Sequence, residues 1–181
     1  MHRRLIRFVH AAFACALAMI AAPGPASVVP LPSGVEAHNG TATIRVTALT
    51  DSILRVRIGR GRELPEDASW AVPEAVRRAS VPVRATADGF HTGALAVHLD
   101  EATLRLSISD LEGRPILADT ADPIRFEGPR FSLAKVLPLG QHILGLGDKT
   151  GEFDRRGQSF VNWNTDAWGF QRSTDPWIFD L

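Results

Sequence analysis

Apolar and polar residues alternate along two neighbouring segments, TATIRVTA and LRVRIG, which a short polar turn at residues 50–52 separates. The apolar positions are Ile44, Val46, Ala48, Leu54, Val56 and Ile58. A period of two places these side chains on one face of an extended chain. The pattern therefore predicts two half-buried strands joined by a turn.

The same alternation returns after an irregular segment at residues 63–78, which two prolines interrupt and which predicts a loop with at most one helical turn. The predicted core-facing positions are Leu95, Val97 and Leu99, followed by Leu104, Leu106 and Ile108. A further strand is expected to begin at Ile116, and strands continue over residues 123–139. Short strands that recur about every ten residues are typical of an antiparallel sandwich. We therefore predict an all-β fold, an antiparallel β-sandwich extending to about Gly145.

The N-terminus has the pattern of a secretory signal. Residues 1–7 are basic, residues 8–22 are apolar, and the helix breakers of PGPAS follow. This order predicts a signal helix, cleavage after Ala26 and export to the periplasm or beyond the cell. The apolar run is shorter than the roughly 20 residues of a membrane span, so no membrane partner is expected after cleavage. A buried amphipathic helix is the alternative, but the run has no polar face.

Cleavage would also remove Cys15, the only cysteine, and leave the mature protein without a thiol or a disulfide. Residues 27–40, SVVPLPSGVEAHNG, are rich in proline and small residues. This composition predicts a linker between the signal peptide and the sandwich.

Composition argues against several kinds of partner. Twenty basic residues balance twenty acidic ones, so there is no basic excess for nucleic acid. Only Lys135 and Lys149 are lysines, and we interpret the preference for arginine as a property of the genome. The histidines lack the spacing of a metal site, and His98 falls on the polar face of its strand. Gly145-Leu146-Gly147 lacks the third glycine of a dinucleotide loop, so no cofactor is expected.

Aromatic and acidic residues concentrate near the C-terminus. Seven of the 13 aromatics lie there: Phe153, Phe160, Trp163, Trp168, Phe170, Trp177 and Phe179. The carboxylates in or just before the same stretch are Asp148, Glu152, Asp154, Asp166 and Asp175. Flat apolar rings beside hydrogen-bond acceptors suit a sugar. An aromatic mini-core with Arg155 and Arg156 paired to nearby acids fits the composition equally well. Spacing along a loop does not reveal the opposed carboxylates that glycoside hydrolysis requires.

The segment GLGDKTGEFDRRGQSFVNWNTD, residues 145–166, resembles the end of the N-terminal β-sandwich in family 31 glycoside hydrolases, the α-glucosidase and α-xylosidase group. The matching residues are Gly145, Gly147, Asp148, Lys149, Arg156, Gly157, Trp163, Asn164 and Asp166. The strand and turn in SISDLEGRPIL resemble the same domain. The resemblance covers residues 41–176 and implies a galactose-mutarotase-like fold.

This resemblance implies a divided site. In the family, two catalytic aspartates lie on a (β/α)₈ barrel that follows the sandwich, so no catalytic residue carries over to this chain. The aspartate of Trp-Asn-x-Asp contacts bound sugar, a role that carries over to Asp166. Trp163 and Trp168 complete the candidate substrate-binding set, and Trp163 is also expected to shape the loop. Asp148 and Arg156 are expected to hold the turn together as an ion pair.

The match ends at Pro176, and residues 177–181, WIFDL, form a non-matching tail. A barrel needs about 250 residues. We therefore expect an accessory domain of an exported α-glycosidase, inactive alone, whose partners are the missing barrel and an α-linked oligosaccharide or glycoside. A free-standing carbohydrate-binding module and an independent hydrolase using its own carboxylates are the alternatives.

Overall fold

A computed structural model describes residues 27–146 and 151–160 of the chain. The chain divides into two compact units, the first ending at Ala134 and the second beginning at Lys135. The predicted signal peptide, residues 1–26, lies outside the described residues. Within the described ranges, no helix has the length and apolar character needed to cross a bilayer.

The first sheet has four antiparallel strands in the order of the chain. They are β1 (Ser27–Leu31), β2 (Gly34–His38), β3 (Ala42–Ala48) and β4 (Leu54–Arg60). Ile44 lies opposite Ile58, and Val46 lies opposite Val56. This register places the alternating apolar residues of β3 and β4 on one face, so the two predicted strands are confirmed.

Residues 27–40 form β1 and β2 rather than the expected linker. The linker prediction failed because it treated the prolines as a sign of irregular structure. Pro30 lies on β1, an edge strand of its sheet, where a missing amide donor is tolerated. Pro32 lies in the turn between the two strands. Val35 and Ala37 are both 1% exposed, so this segment supplies part of the core.

The second sheet has six strands in the order β10-β9-β8-β7-β6-β5. They are β5 (Arg84–Ala85), β6 (Gly89–His91), β7 (Leu95–Leu99), β8 (Leu106–Asp110), β9 (Pro115–Glu127) and β10 (Arg130–Lys135). The pairs from β5 to β9 are antiparallel, with a register shift at Ile108 and Ser109. Helix α1 (Glu74–Arg78) precedes this sheet and is the single helical turn expected in the irregular segment.

One core joins the inner faces of the two sheets, which confirms the predicted antiparallel sandwich. Its largest fully buried side chains are Phe90, Ile44, Leu99, Leu104, Leu106, Val35, Val46 and Val97. Leu104 corrects one detail, because it lies in the turn before β8 with a φ of 57° and not in a strand. Its side chain is nevertheless 1% exposed, so burial holds a left-handed conformation that leucine seldom adopts.

Two glycines permit close contact between strands. A Cβ atom at Gly34 would lie 2.0 Å from the carbonyl oxygen of Val46, and one at Gly89 would lie 1.9 Å from that of Val97. Both distances are far below van der Waals contact with backbone that cannot move aside. Neither position can therefore take a side chain without shifting the strand pairing that builds the core.

The turns of the two sheets are also joined by hydrogen bonds. Thr92 Oγ1 donates to the carbonyl of Asp51 at 2.6 Å, and the Gly93 amide donates to Asp51 Oδ1 at 3.1 Å. At another turn, Asn39 Nδ2 donates to the carbonyl of residue 102 at 3.2 Å. These bonds fix how the β3–β4 and β2–β3 turns of the first sheet lie against the second sheet.

Phe90→Ala should lower the free energy of unfolding by about 3–5 kcal/mol, because it leaves a cavity between the sheets. The ring of Phe90 is 0% exposed. Phe131→Ala is the matched control, since Phe131 on β10 is 68% exposed, and its effect should stay within about 0.5 kcal/mol. Urea denaturation measures both. Equal losses in the two variants would show that the core is not where the structure places it.

Candidate functional site

The three predicted substrate-binding residues, Trp163, Asp166 and Trp168, lie outside the described residues. The same holds for Asp148, the expected ion-pair partner of Arg156. The structure does describe residues 151–160, which lead into this stretch. The contacts of residues 151–160, which precede Trp163, are therefore the part of the predicted site that the structure describes.

Asp154 organises the described part of the second unit. Its Oδ1 accepts hydrogen bonds from the amides of Ile143 and Arg156 at 3.3 and 3.0 Å, and its Oδ2 lies 2.6 Å from His142 Nδ1. The hydrogen bond with His142 and the amide of Arg156 lower the pKa of Asp154. A bridge between Leu144 and Asp154 closes the loop. Asp154, one of the five candidate acids, is therefore an ionised structural carboxylate.

The two arginines of the stretch also hold backbone and aromatic groups. Arg156 Nη1 donates to the carbonyls of Pro138 and Gln141 at 2.8 and 2.7 Å. Arg155 is 7% exposed, and its guanidinium lies 5.4 Å from the centre of the Phe160 ring. Arg156 therefore has a structural role, as predicted, because it donates to backbone carbonyls. Its predicted ion pair with Asp148 stays a prediction.

An acidic recess of about 510 Å³ lies at one end of the second sheet. Its charged and histidine side chains are Asp88, His98, Asp100, Glu101, Arg105 and Asp119. Asp88 lies 3.1 Å from His98 Nδ1, Asp100 accepts from the Thr103 amide at 2.8 Å, and Asp119 accepts from the amide that begins β8 at 2.9 Å. The hydrogen bond with His98 lowers the pKa of Asp88, and hydrogen bonds from the hydroxyl and then the amide of Thr103 lower that of Asp100. Asp88 and Asp100 are therefore structural carboxylates rather than candidate acids.

Metal chemistry has no visible basis in the same part of the molecule. Within residues 27–146 and 151–160, no three side chains of histidine, cysteine, aspartate or glutamate form a group that could hold a metal ion. His98 is exposed, and its ring meets that of His91 edge to face at 6.4 Å. This position agrees with the polar face predicted for His98.

A second recess, of about 500 Å³, lies on the outer side of the first sheet, and we call it the arginine recess. Its charged side chains are Arg45, Arg55, Arg57, Arg77, Arg78 and Asp67. Two bonds of 2.6 Å join Arg55 to Asp67 in a bidentate pair. Arg77 Nε and Arg57 Nη1 lie 3.4 and 3.7 Å from the same carboxylate. The hydrogen bond from Arg55 contributes most to lowering the pKa of Asp67 to about 2.

Sequence reasoning did not anticipate this cluster. Arg55 and Arg57 are the polar positions of the alternating segment LRVRIG, and from the sequence alone we interpret the preference for arginine as a property of the genome. Their spacing of two was the available signal, since it places both guanidiniums on one side of β4. The contributions of Asp67 and Arg77 come from the irregular segment, whose path the sequence pattern did not predict.

A family model identifies the domain. The model of the glycosyl hydrolase 31 N-terminal galactose mutarotase-like domain matches residues 43–177. The chain belongs to glycosyl hydrolase family 31. The resemblance inferred from residues 145–166 is thereby confirmed, and the sandwich is the N-terminal domain of this family.

Two α-glucosidases are similar in sequence to this family 31 domain. Alpha-glucosidase 2 of Bacillus thermoamyloliquefaciens is 26% identical over 144 residues, which are 77% of this chain and 18% of that enzyme. An alpha-glucosidase of Saccharolobus solfataricus is 38% identical over 50 residues, 28% of this chain and 7% of that enzyme. The family 31 domain therefore spans less than a fifth of the length of either relative.

A solved structure has the same fold as the family 31 domain. It is a dextranase of the same family from Flavobacterium johnsoniae, determined in complex with isomaltotriose and with glucose. It matches with a TM-score of 0.69 and 21% identity, over 84% of this chain and 19% of the dextranase. At this identity the likeness establishes the sandwich fold.

Asp67→Asn should flatten the dependence of stability on pH between pH 4 and pH 2. The pKa of Asp67 falls from an ordinary 3.8 to about 2 on folding, so ionised Asp67 stabilises the fold above pH 4. That stabilisation is lost as the pH drops through the folded pKa. Urea midpoints at pH 2 to 5 measure the effect. Asp122→Asn, at a 63% exposed carboxylate, is the control and should keep the wild-type slope. An unchanged slope in Asp67→Asn would contradict the arginine contacts.

Proposed function

We propose that this family 31 domain is the accessory N-terminal domain of an exported α-glycosidase and does not hydrolyse glycosides by itself. The observation that carries the proposal is the family match over residues 43–177, together with the small share of each relative that the chain spans. The family resemblance assigns the catalytic aspartates to a barrel that follows the sandwich. The domain would then support a catalytic centre formed elsewhere.

The described carboxylates give independent support for inactivity. A glycosidase acid must hold its proton near neutral pH and therefore needs a raised pKa. The carboxylates with a shifted pKa in the described ranges are Asp67, Asp88, Asp100, Asp110 and Asp154, and every shift is downward. Hydrogen bonds to arginine, histidine or backbone amides favour the ionised form in each case. These groups suit structural contacts better than proton donation.

Exposed apolar residues support a protein partner, which we propose is the catalytic barrel. On β10 of the first unit, Phe131 and Leu133 are 68% and 46% exposed. In the second unit, Leu139 and Phe153 are 96% and 77% exposed. We propose that the barrel covers the exposed apolar side chains of each unit, because apolar surface that faces water favours association with a partner.

The ligand we propose is an α-linked glucosaccharide, held jointly by the barrel and the stretch around Asp166. The relatives are named alpha-glucosidases, and the dextranase was solved with isomaltotriose and with glucose. Asp166 would accept hydrogen bonds from sugar hydroxyls, and Trp163 and Trp168 would offer flat apolar surfaces to a sugar ring.

Export is the remaining part of the proposal, and the N-terminal sequence supports it. The basic residues 1–7 and the apolar residues 8–22 have the order of a secretory signal. We expect the exported protein to begin at Ser27, and mass spectrometry of the protein recovered from the periplasm or medium measures this. A mature protein that retains residues 1–26 inside the cell would contradict export.

The purified chain should release no nitrophenol from aryl α-glucosides or α-xylosides, because each described carboxylate with a shifted pKa is shifted toward the ionised form. Turnover that survives repeated purification and is lost in a single carboxylate variant would contradict the proposal.

The DNA that follows codon 181, translated in three frames, should encode a barrel. Absence of barrel-like sequence would count against an accessory role.

Calorimetry separates this proposal from a free-standing carbohydrate-binding module. Titration of the purified chain with maltose, isomaltose or xylo-oligosaccharides should give no saturable heat, because half a site contributes too few contacts. Saturable heat that Asp166→Ala abolishes and Asp122→Ala preserves would instead establish a binding module.

A further inference from the structure

The arginine recess carries more positive charge than its structural contacts require. Five arginines line it, and Asp67 is the one carboxylate in its described lining. Two of the arginines have other partners at the rim: Arg45 pairs with Glu36, and Arg78 pairs with Glu74. The remaining three guanidiniums share Asp67, so two positive charges remain unneutralised among the described groups of the recess.

These three guanidiniums are also largely removed from water. The side chains of Arg55, Arg57 and Arg77 are 14%, 16% and 15% exposed. Like charges that gather in a partly buried place repel one another more strongly than they would in water. A structural tie needs one guanidinium for one carboxylate. The excess therefore calls for a role beyond fastening the irregular segment to the sheet.

The guanidiniums are held in place before any ligand arrives. Arg77 Nη1 donates to the carbonyl of Val72 at 2.6 Å, and Arg57 Nη2 donates to the carbonyl of Pro65. Arg55 is fixed by its bidentate pair with Asp67. Donors fixed in advance lose little freedom when they bind an anion, which favours affinity.

We propose that the arginine recess is a binding site for a small oxyanion, with Arg57 and Arg77 as its principal contacts. The ligand class is a sulfate, phosphate or carboxylate group on a molecule of monosaccharide size. Guanidinium groups match the planar and forked geometry of these oxyanions. The described lining of this site belongs to the first unit, and the proposal does not depend on glycoside hydrolysis.

The size and polarity of the recess favour an anion attached to a sugar-sized body. Its volume of about 500 Å³ lies within the range of small-molecule sites and exceeds the space that an inorganic anion fills. Ser33, Thr47 and Ser80 line it beside the arginines, and hydroxyls of this kind exchange hydrogen bonds with sugar hydroxyls. Glu63 and Glu66 line neighbouring recesses and not this one.

Isothermal titration of the purified chain with inorganic sulfate, inorganic phosphate and glucuronate tests the proposal, with glucose as the neutral comparison. We expect saturable binding of at least one anion and none of glucose. Arg57→Gln should weaken that binding by about tenfold or more, because a hydrogen bond to a charged group is lost. Arg125→Gln, which removes an exposed arginine paired with Asp122, should leave it unchanged.

Asp67→Asn gives a second test, in which the affinity for the anion is expected to rise rather than fall. Removing the carboxylate leaves three unopposed positive charges, so anion affinity should rise several-fold even if the fold loses stability. Circular dichroism at the titration temperature establishes that each variant is folded, and Arg57→Lys replaces Arg57→Gln if the latter is not.

Comparing the affinities for the three anions identifies which kind of anionic group the ligand carries. Preference for sulfate or phosphate over glucuronate would indicate an esterified ligand, and the reverse would indicate a uronic acid. The proposal is overturned if no anion gives saturable binding. It is equally overturned if Arg125→Gln weakens binding as much as Arg57→Gln, or if Asp67→Asn weakens it.

Discussion

Burial of one apolar face from each sheet holds the sandwich together, because neither sheet can shield its own apolar side chains from water. Phe90, Val97 and Leu99 from the second sheet meet Val35, Ile44 and Val46 from the first, and all are at most 1% exposed. Gly34 and Gly89 keep the strand pairs close enough for this contact. The outer face of the first sheet is therefore free to carry charge, and the arginine recess lies on that face.

The charged groups of the two recesses differ in their contacts. In the acidic recess, each aspartate accepts a hydrogen bond from a nearby amide or histidine, and these bonds fix the carboxylates in their turns and strands. In the arginine recess, three guanidiniums surround the single carboxylate of Asp67, and the match fails by two charges. A local surplus of fixed cationic donors suits the binding of an anion, whereas hydrogen-bonded carboxylates mainly secure turns.

The sequence predicted the sandwich because its alternating residues have the period of a strand and lie between clear turns. It failed at residues 27–40, where prolines suggested a linker, and at Leu104, where burial stabilises a left-handed turn residue. The family motif at residues 145–166 was recognisable because several fixed residue types recur at set spacings. The turn role of Asp154 was not, since its partner His142 lies twelve residues away and loop spacing gives no direction to side chains.

Alternation, turn residues and the family motif thus determined by themselves the fold class, most strands and the membership of family 31. These signals are local, since each depends on residues within one strand or one loop. The tertiary structure alone decided which charged groups meet. Arg55 and Arg57 on β4, Asp67 in the irregular segment and Arg77 on α1 come together only because that segment returns to the sheet. Electrostatic interaction depends on distance in space, and distance in space follows from the path of the chain and not from sequence spacing.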